Sequence, residues 1–366
     1  MKNCFDRDEL LHPLQSLIGV VDRQQSMPIL GHVLIDGLAS SVTLVATDTE
    51  VELSVELPHR TEEPGAFTLP GRMLYEICRS LPEGASVELA VSEGQATVRS
   101  GRSRFSLMSF AAPDFPRIGM CPERARLTVT SGDLKTLLEE THVAMAVQDV
   151  RYYLNGMLLE RHARGLRGVA TDGHRLAIRD IDLPQEGQDP VQIIVPRKAV
   201  TELLRVLPGG SDEIQLMIGE THLQVRVGVL TLTSKLVDGR YPDYDRVIPK
   251  DCERVVIAPR ELLRDSLKRA CIVCTDRYKA VRIALAKGVL SATAQNADRE
   301  HAEEDIEVDY DGGPVEIGFN GSYLLDALDV IESEKVRIEL KDAGSGCILV
   351  PEEGRNPTLV VMPMRL

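Results

Sequence analysis

Three stretches of this chain carry the same helical pattern. Phe67–Gly84 returns as Ile193–Gly210 and again, more loosely, as Ile317–Glu334. In each copy four apolar residues sit at i, i+3, i+4 and i+7: Leu74, Ile77, Cys78 and Leu81; Val200, Leu203, Leu204 and Leu207; Leu324, Ala327, Leu328 and Ile331. That spacing is one apolar stripe on a helix, and its recurrence implies a duplicated unit that buries the stripe the same way each time. A second helix is predicted at the start of each third, over Asp8–Val21, Asp133–Met145 and Arg260–Cys274. Between and after the helices lie alternating runs rich in β-branched residues, such as Ser41–Leu57, Val87–Val98, Ile214–Leu232 and Val336–Leu340, punctuated by Gly, Asp and Pro. The unit reads helix, strands, helix, strands. Its phase also holds in a strand, where Val45-Ala46-Thr47-Asp48 recurs as Val169-Ala170-Thr171-Asp172 and in reduced form as Ser291-Ala292-Thr293.

The expected class is therefore α+β, with three repeated domains of roughly 120 residues. The joints fall in the charged, turn-rich segments Pro116–Arg126 and Val247–Arg254, giving domains 1–120, 127–247 and 252–366. With 43% apolar residues, no Trp and 6 Phe, the cores must be mainly aliphatic. The N-terminus places Asp and Glu where a signal peptide needs an apolar run, and no stretch approaches the roughly 20 apolar residues of a membrane span. A cytoplasmic location is expected.

Seven cysteines, an odd number, read as reduced thiols and not as a disulfide framework. Cys271-x-x-Cys274 lacks the second pair or the histidines of a zinc site, and both residues fall in the apolar register of a predicted helix, so core packing is expected there. No metal or cofactor is implied. The net charge of −14 argues against phosphate binding, but Arg72, Arg79, Arg197, Lys198, Arg205, Arg260, Arg264, Lys268 and Arg269 all lie on the repeated helices. Charge alone allows weak nonspecific DNA contact without demonstrating it.

Phosphate loops, dinucleotide fingerprints, zinc-protease and nucleophile-elbow motifs are missing from the sequence. The best catalytic candidate is Thr171-Asp172-Gly173-His174-Arg175, whose Asp and His could orient a general base. The corresponding Thr47-Asp48-Thr49-Glu50 has no His, which favours a Gly-centred turn between strands. A hydrolase using Asp172 and His174 and a repeat-built peptide-binding scaffold that does not link to DNA are the competing readings.

Four strings together, Arg151–Gly156, Ala170–Ala177, Ser234–Tyr244 and Val360–Leu366, resemble the bacterial beta sliding clamps, the processivity subunits of DNA polymerase III. The resemblance runs over the whole chain and agrees with the threefold repeat. It implies a non-enzymatic protein of three clamp domains per chain, paired helices lining a ring and antiparallel sheets outside. Two chains would close head to tail around duplex DNA without reading its sequence. At the seam it implies Arg99, Arg102, Arg104, Phe105 and Leu107 from the first domain, and Ile272, Val273, Glu300, Glu303 and Glu304 from the third. It implies a peptide groove lined by Leu154, Thr171, Gly173, His174, Arg175, Leu176, Pro242, Arg246, Val247, Val360, Met362, Pro363, Met364 and Arg365. The partners implied there carry short motifs with a Gln and apolar anchors: the polymerase III alpha subunit, the clamp-loader delta subunit, and other polymerases and repair proteins. Arg23, Gln148, Tyr152, Tyr153 and Lys198 would meet DNA. Asp245 and Val147 depart from the family pattern by removing positive or polar character near these surfaces.

Overall fold

The computed structural model describes residues 2–21, 27–92, 94–119, 122–162, 165–183, 190–274 and 279–365. Six α-helices are among them: α1 (Arg7–Leu17), α2 (Gly71–Ser80), α3 (Ser131–Thr141), α4 (Arg197–Val206), α5 (Arg260–Ala270) and α6 (Gly321–Val330). Every strand pair is antiparallel, so the α+β class read from the sequence holds. The chain divides into two compact units, Met1–Lys135 with Lys198–Leu236, and Thr136–Arg197 with Val237–Leu366. The middle repeat contributes to both.

The first unit holds a four-stranded sheet, in the order Lys2–Asp6, Ser86–Ser92, Gln95–Ser100, Ser103–Met108. Its second sheet has eight strands, Gly65–Pro70, His32–Gly37, Ser41–Thr47, Val51–Pro58, Leu230–Lys235, His222–Val227, Glu213–Gly219 and Glu123–Thr130. The middle of this sheet joins two repeats, through the pairing of Val51–Pro58 with Leu230–Lys235. The second unit repeats the plan. Its eight-stranded sheet runs Val191–Pro196, Gly156–His162, Gly165–Thr171, Arg175–Asp182, Thr358–Val361, Cys347–Pro351, Lys335–Leu340, Arg254–Pro259, and its four-stranded sheet runs His301–Glu307, Val289–Gln295, Ala280–Ala286, Val315–Asn320.

The helical stripes pack as the spacing requires. Leu74, Ile77 and Cys78, then Val200, Leu203 and Leu207, then Leu324, Ala327, Leu328 and Ile331 are buried. Leu81 and Leu204 depart from the expectation and are only half-buried, and beside Leu204 it is Glu202 that is buried, its carboxylate paired with Arg205 at 2.5 Å. α1 starts on a reciprocal cap in which Asp6 accepts from the Asp8 amide at 2.9 Å and Glu9 accepts from the Asp6 amide at 3.0 Å. The first helix of each repeat is shorter than its apolar pattern predicts, ending at Leu17, Thr141 and Ala270. In α1 the guanidinium of Arg205 takes the last carbonyls, those of Gln15 at 3.0 Å and Ser16, satisfying groups that a further turn would otherwise need.

Arginines serve the fold in the same way at other helix ends. Arg7 at the start of α1 donates to the Cys78 carbonyl at 3.0 Å, and Arg260 at the start of α5 donates to Ser333 and Leu328 carbonyls at 3.0 and 3.2 Å. Both cap the C-terminal end of the partner helix, where a cation also meets the negative end of the helix dipole. In the middle repeat Ser131 stands at the place of Arg7 and Arg260, and at the next residue the chain comes too close for a side chain. The Gly132 amide donates to the Gly210 carbonyl at 2.8 Å, and a Cβ on Gly132 would stand 2.7 Å from that oxygen. Gly132→Ala should therefore force the two backbones apart and cost about 1–3 kcal/mol, read as a lowered Tm in calorimetry.

Candidate functional site

The turn Thr171–Arg175 is built by its own side chains. Thr171 Oγ1 donates to the Arg175 carbonyl at 2.6 Å and accepts from the Gly173 amide at 3.1 Å. Asp172 Oδ1 accepts from the amides of His174 and Arg175 at 2.9 and 3.0 Å, and Oδ2 accepts from Arg175 Nε at 3.1 Å. Gly173 has φ +88° and lies so close to Arg151 that a Cβ would come within 3.0 Å of the guanidinium. The Asp172 carboxylate is thus committed to the turn and to Arg175, while the His174 ring stacks on Tyr323 with centroids 6.5 Å apart. This is the Gly-centred turn that the sequence favoured over an Asp–His pair.

Beneath the turn, Leu154, Leu176 and Val360 are buried in one cluster with Leu158, Val169 and Tyr241. The C-terminal strand brings Val360 opposite Leu176, and the Met362 amide continues the ladder to the His174 carbonyl at 2.8 Å. The Met364 amide then donates to the Gly318 carbonyl at 2.9 Å. Tyr241 anchors the next wall by accepting from the Thr171 amide at 3.1 Å, and its burial raises its pKa. Tyr244 packs against the same cluster, donates to Glu160 at 2.8 Å and is pushed up to about 12 by burial. The surface above this floor mixes apolar and cationic groups. Val247 is 46% and Met362 36% exposed; Gly173, His174, Pro242, Arg246 and Arg365 are exposed; Pro363 and Met364 are half-buried. Arg175 is fixed over the Tyr323 ring at 4.4 Å and paired with Asp326.

All fourteen residues expected to line a groove thus belong to one compact unit. Tyr323, Asp326 and Arg151 were not anticipated. Tyr323 and Asp326 sit on α6, whose repeat signal reports only the buried stripe, and their meeting with Arg175 depends on contacts between residues far apart in sequence.

The first unit contains a copy of this scaffold. Thr47 Oγ1 donates to the Val51 carbonyl at 3.0 Å and accepts from the Thr49 amide at 3.0 Å, Asp48 Oδ1 accepts from the Glu50 and Val51 amides at 2.9 and 2.7 Å, and Thr49 has φ +78°. The Lys235 amide donates to the Glu50 carbonyl at 2.9 Å, as Met362 does to His174. Pro113-Asp114-Phe115-Pro116-Arg117-Ile118 corresponds to Pro242-Asp243-Tyr244-Asp245-Arg246-Val247, and Phe115 packs on Leu30, Leu34 and Val45 as Tyr244 packs on Leu154, Leu158 and Val169. The floors differ. Glu52 and Thr233 pair where Leu176 and Val360 pair in the second unit. Glu52, only 4% exposed, takes two hydrogen bonds from Arg117, each 3.1 Å, and one from the Ile118 amide at 2.9 Å. The copy in the first unit is polar and holds its own chain; the copy in the second has an apolar floor.

The remaining candidates scatter. Arg23 lies outside the described residues. Gln148 has φ +55°; Tyr152, 57% exposed, meets half-buried Tyr153 edge-on at 5.7 Å; Lys198 is ion-paired with Asp48. Arg102, Arg104 and Phe105 are exposed on the outer strand Ser103–Met108 and the turn before it, Leu107 is half-buried, and Arg99 stands opposite Arg104 on the neighbouring strand. In the second unit His301–Glu307 is likewise an outer strand, with Glu303 exposed and Glu300 just before it. Glu304 accepts two hydrogen bonds from Arg269, at 2.9 and 2.6 Å, which hold its pKa below the usual carboxylate range. Ile272 is 78% exposed. Cys271 is buried at the end of α5, its thiol pushed up to about 11 by burial, whereas Cys274 is half-buried beyond the helix. Core packing therefore describes Cys271 better than Cys274. Among the described residues no group of His, Cys, Asp and Glu could hold a metal, and no helix is long and apolar enough to cross a membrane.

Comparison with known proteins assigns the family. Models of the N-terminal, central and C-terminal domains of the DNA polymerase III beta subunit match residues 1–119, 128–243 and 245–365. The beta sliding clamp of Pseudomonas putida is 44% identical over 368 residues and that of Escherichia coli K12 42% over 370, each comparison covering 100% of both chains. The crystal structure of the DNA polymerase III subunit beta from Pseudomonas aeruginosa superposes with a TM-score of 0.97 at 42% identity, and the sliding clamp from Caulobacter crescentus with 0.95 at 34%, again over 100% of both chains. An apolar-floored site on a threefold repeat, full-length identity above 40% and matches to all three domain models agree, and this chain belongs to the bacterial beta sliding clamps, the beta subunits of DNA polymerase III.

Proposed function

We propose that two copies of this chain join head to tail in a closed ring that encircles duplex DNA, slides along it without catalysis, and tethers motif-bearing partners through the groove above Leu176 and Val360. The observation that carries the proposal is the state of the sheet edges. In each eight-stranded sheet, two four-stranded halves from successive repeats meet edge to edge, at Val51–Pro58 with Leu230–Lys235 and at Arg175–Asp182 with Thr358–Val361. Each four-stranded sheet is one such half with its joining edge unused: Ser103–Met108 corresponds to Leu230–Lys235, and His301–Glu307 to Val51–Pro58. Open edges are templates for pairing. Joining the first edge of one copy to the second edge of another repeats the contact already made twice within the chain. Such heterologous contacts close when the rotation divides a full turn, and six domains, bounded as 1–120, 127–247 and 252–366 in each chain, would close it.

Encirclement also reconciles DNA with a net charge of −14. A topological link requires little affinity, and several arginines of the repeated helices are already committed to carbonyls and carboxylates. What remains for DNA is weak, sequence-blind contact, assigned to Arg23, Gln148, Tyr152, Tyr153 and Lys198, the last in competition with Asp48. The groove would receive the polymerase III alpha subunit, the clamp-loader delta subunit, and other polymerases and repair proteins, in the cytoplasm where the chromosome lies.

The test is retention. The protein, loaded by a clamp loader onto a nicked circular duplex and isolated at moderate salt, should stay on the circle and leave when the circle is cut. Equal retention on circular and linear DNA would overturn the ring.

A further inference from the structure

The turn that presents Ile272 is bracketed by two sulfurs. Cys271 and Cys274 are free thiols, the first buried and the second half-buried. Between them lie Ile272 and Val273, the residues assigned to the seam. The 3-10 turn Cys271–Val273 is closed by the Cys274 amide, which donates to the Cys271 carbonyl at 3.2 Å. A turn of this kind brings its end Cα atoms within about 7 Å, and a disulfide spans about 4.4–6.8 Å, so the backbone needs little change to be bridged. The thiols already meet: Cys271 donates a hydrogen bond to the Cys274 sulfur, and Cys274 donates to the Ala280 carbonyl at 3.6 Å. On its other side the Cys271 sulfur lies against the start of α6, where a Cβ on Gly321 would stand 2.5 Å from it. Helix N-termini and nearby cations favour a thiolate, and the charge of Lys279 acts on both sulfurs.

We propose that Cys271 and Cys274 are a redox modification site, oxidised by a small disulfide to an intrachain disulfide that fixes the turn carrying Ile272 and Val273 and so tightens closure of the ring. The effect on the ring rests on the reading of these two residues as the seam; formation of the bond does not. The Cys274 thiolate, the more accessible of the two, attacks one sulfur of the small disulfide and expels one thiolate, leaving a mixed disulfide. The Cys271 thiolate then attacks the Cys274 sulfur and expels the second. The two protein thiols give up two electrons and two protons, and the small disulfide leaves as two thiols. Burial raises the pKa of both thiols, and the hydrogen bond from Cys271 partly offsets this at Cys274. Exchange should therefore begin at Cys274 and quicken as pH rises. The direction of the effect on closure follows from preorganisation. A turn closed by one amide hydrogen bond, with an isoleucine 78% exposed, loses freedom when it docks, and a covalent bridge removes that freedom beforehand.

The test equilibrates the full-length protein with oxidised and reduced glutathione at pH 8, maps disulfides by mass spectrometry after alkylation, and follows dimer dissociation on dilution by energy transfer between amine-labelled chains. A Cys271–Cys274 bond should form, the dissociation constant should fall by roughly two- to tenfold, and dithiothreitol should reverse both. In Cys274→Ser and in Cys271→Ala the dissociation constant, whatever its starting value, should not respond to oxidation, which separates this pair from the other cysteines. Thiols that stay free, or a mixed disulfide with glutathione that never resolves, overturn the inference. A bond that forms and leaves the dissociation constant unchanged or raises it, while Ile272→Asp still weakens the dimer, overturns the link to ring closure with the seam intact. If Ile272→Asp has no effect either, the seam reading itself fails and the link falls with it.

Discussion

Aspartate at Ile272 and Val273 is expected to convert the protein from a dimer into a folded monomer. Ile272 is 78% exposed in the single chain, on the 3-10 turn Cys271–Val273 that follows α5, and so contributes little to the stability of its own unit. An apolar side chain held out beside the open strand His301–Glu307 is what the seam of a ring would bury. The charges nearby cannot hold that seam alone. Glu304 is already engaged by Arg269, and ion pairs at an interface rim set orientation more than affinity. A buried, unpaired carboxylate costs about 3–5 kcal/mol, so even one such group lost at one seam should raise the concentration at which the protein dissociates by roughly two to four orders of magnitude, and the double variant by at least as much. Sedimentation velocity reads the mass and circular dichroism the fold. Since Val273 is half-buried, Ile272→Asp alone serves as the milder control, and it should weaken the dimer with an unchanged melting curve. A double variant that sediments as the wild-type dimer would remove Ile272 and Val273 from the interface.

Much of this architecture is written locally. The four-residue stripes that marked α2, α4 and α6 depend on 3.6 residues per turn and on burial, and both are present in a single window of sequence. Helix ends were less legible because the groups that stop a helix come from elsewhere: nothing in Leu14–Val21 announces that Arg205 will take the carbonyls of Gln15 and Ser16. Burial of Glu202, by contrast, has a local partner in Arg205 one turn on along the same helix. The site divides likewise. Thr171–Arg175 was recognisable because the turn is made by its own Thr, Asp and Gly, and the same hydrogen bonds recur at Thr47–Val51. Which copy has an apolar floor was not recognisable, because it is decided by cross-strand partners about 180 residues away, Thr233 opposite Glu52 and Val360 opposite Leu176. Charge alone left DNA contact undecided for a related reason: a cation on a helix counts toward DNA only if no carbonyl or carboxylate of the same chain has claimed it, and of the helix cations named from the sequence Arg205 and Arg260 are claimed.

Deleting Met364–Leu366 should leave the ring assembled and the groove much weakened in binding. Met364 is tied to Val315–Asn320, the strand of the four-stranded sheet at the end remote from the open edge His301–Glu307, so the edge proposed to join a second copy should not need it. The tail's hold on the fold is slight: the Met364 amide donates to Gly318 at 2.9 Å, and that carbonyl turns to water when the tail is gone. Pairing of Val360 with Leu176 and of the Met362 amide with His174 lies upstream of the cut and should persist. What is lost is half-buried Met364, beside half-buried Pro363 and exposed Met362, together with exposed Arg365. Flexible thioethers let one surface repack around different anchors, and removing a side chain that a ligand covers forfeits about 1.5–3 kcal/mol. Affinity for a peptide with a Gln and apolar anchors should accordingly fall by at least about tenfold, measured by fluorescence anisotropy. The sedimentation coefficient and melting temperature should stay near those of the full chain. Undiminished peptide binding would move the groove away from the C-terminus. Loss of the dimer together with binding would mean instead that the tail supports the seam.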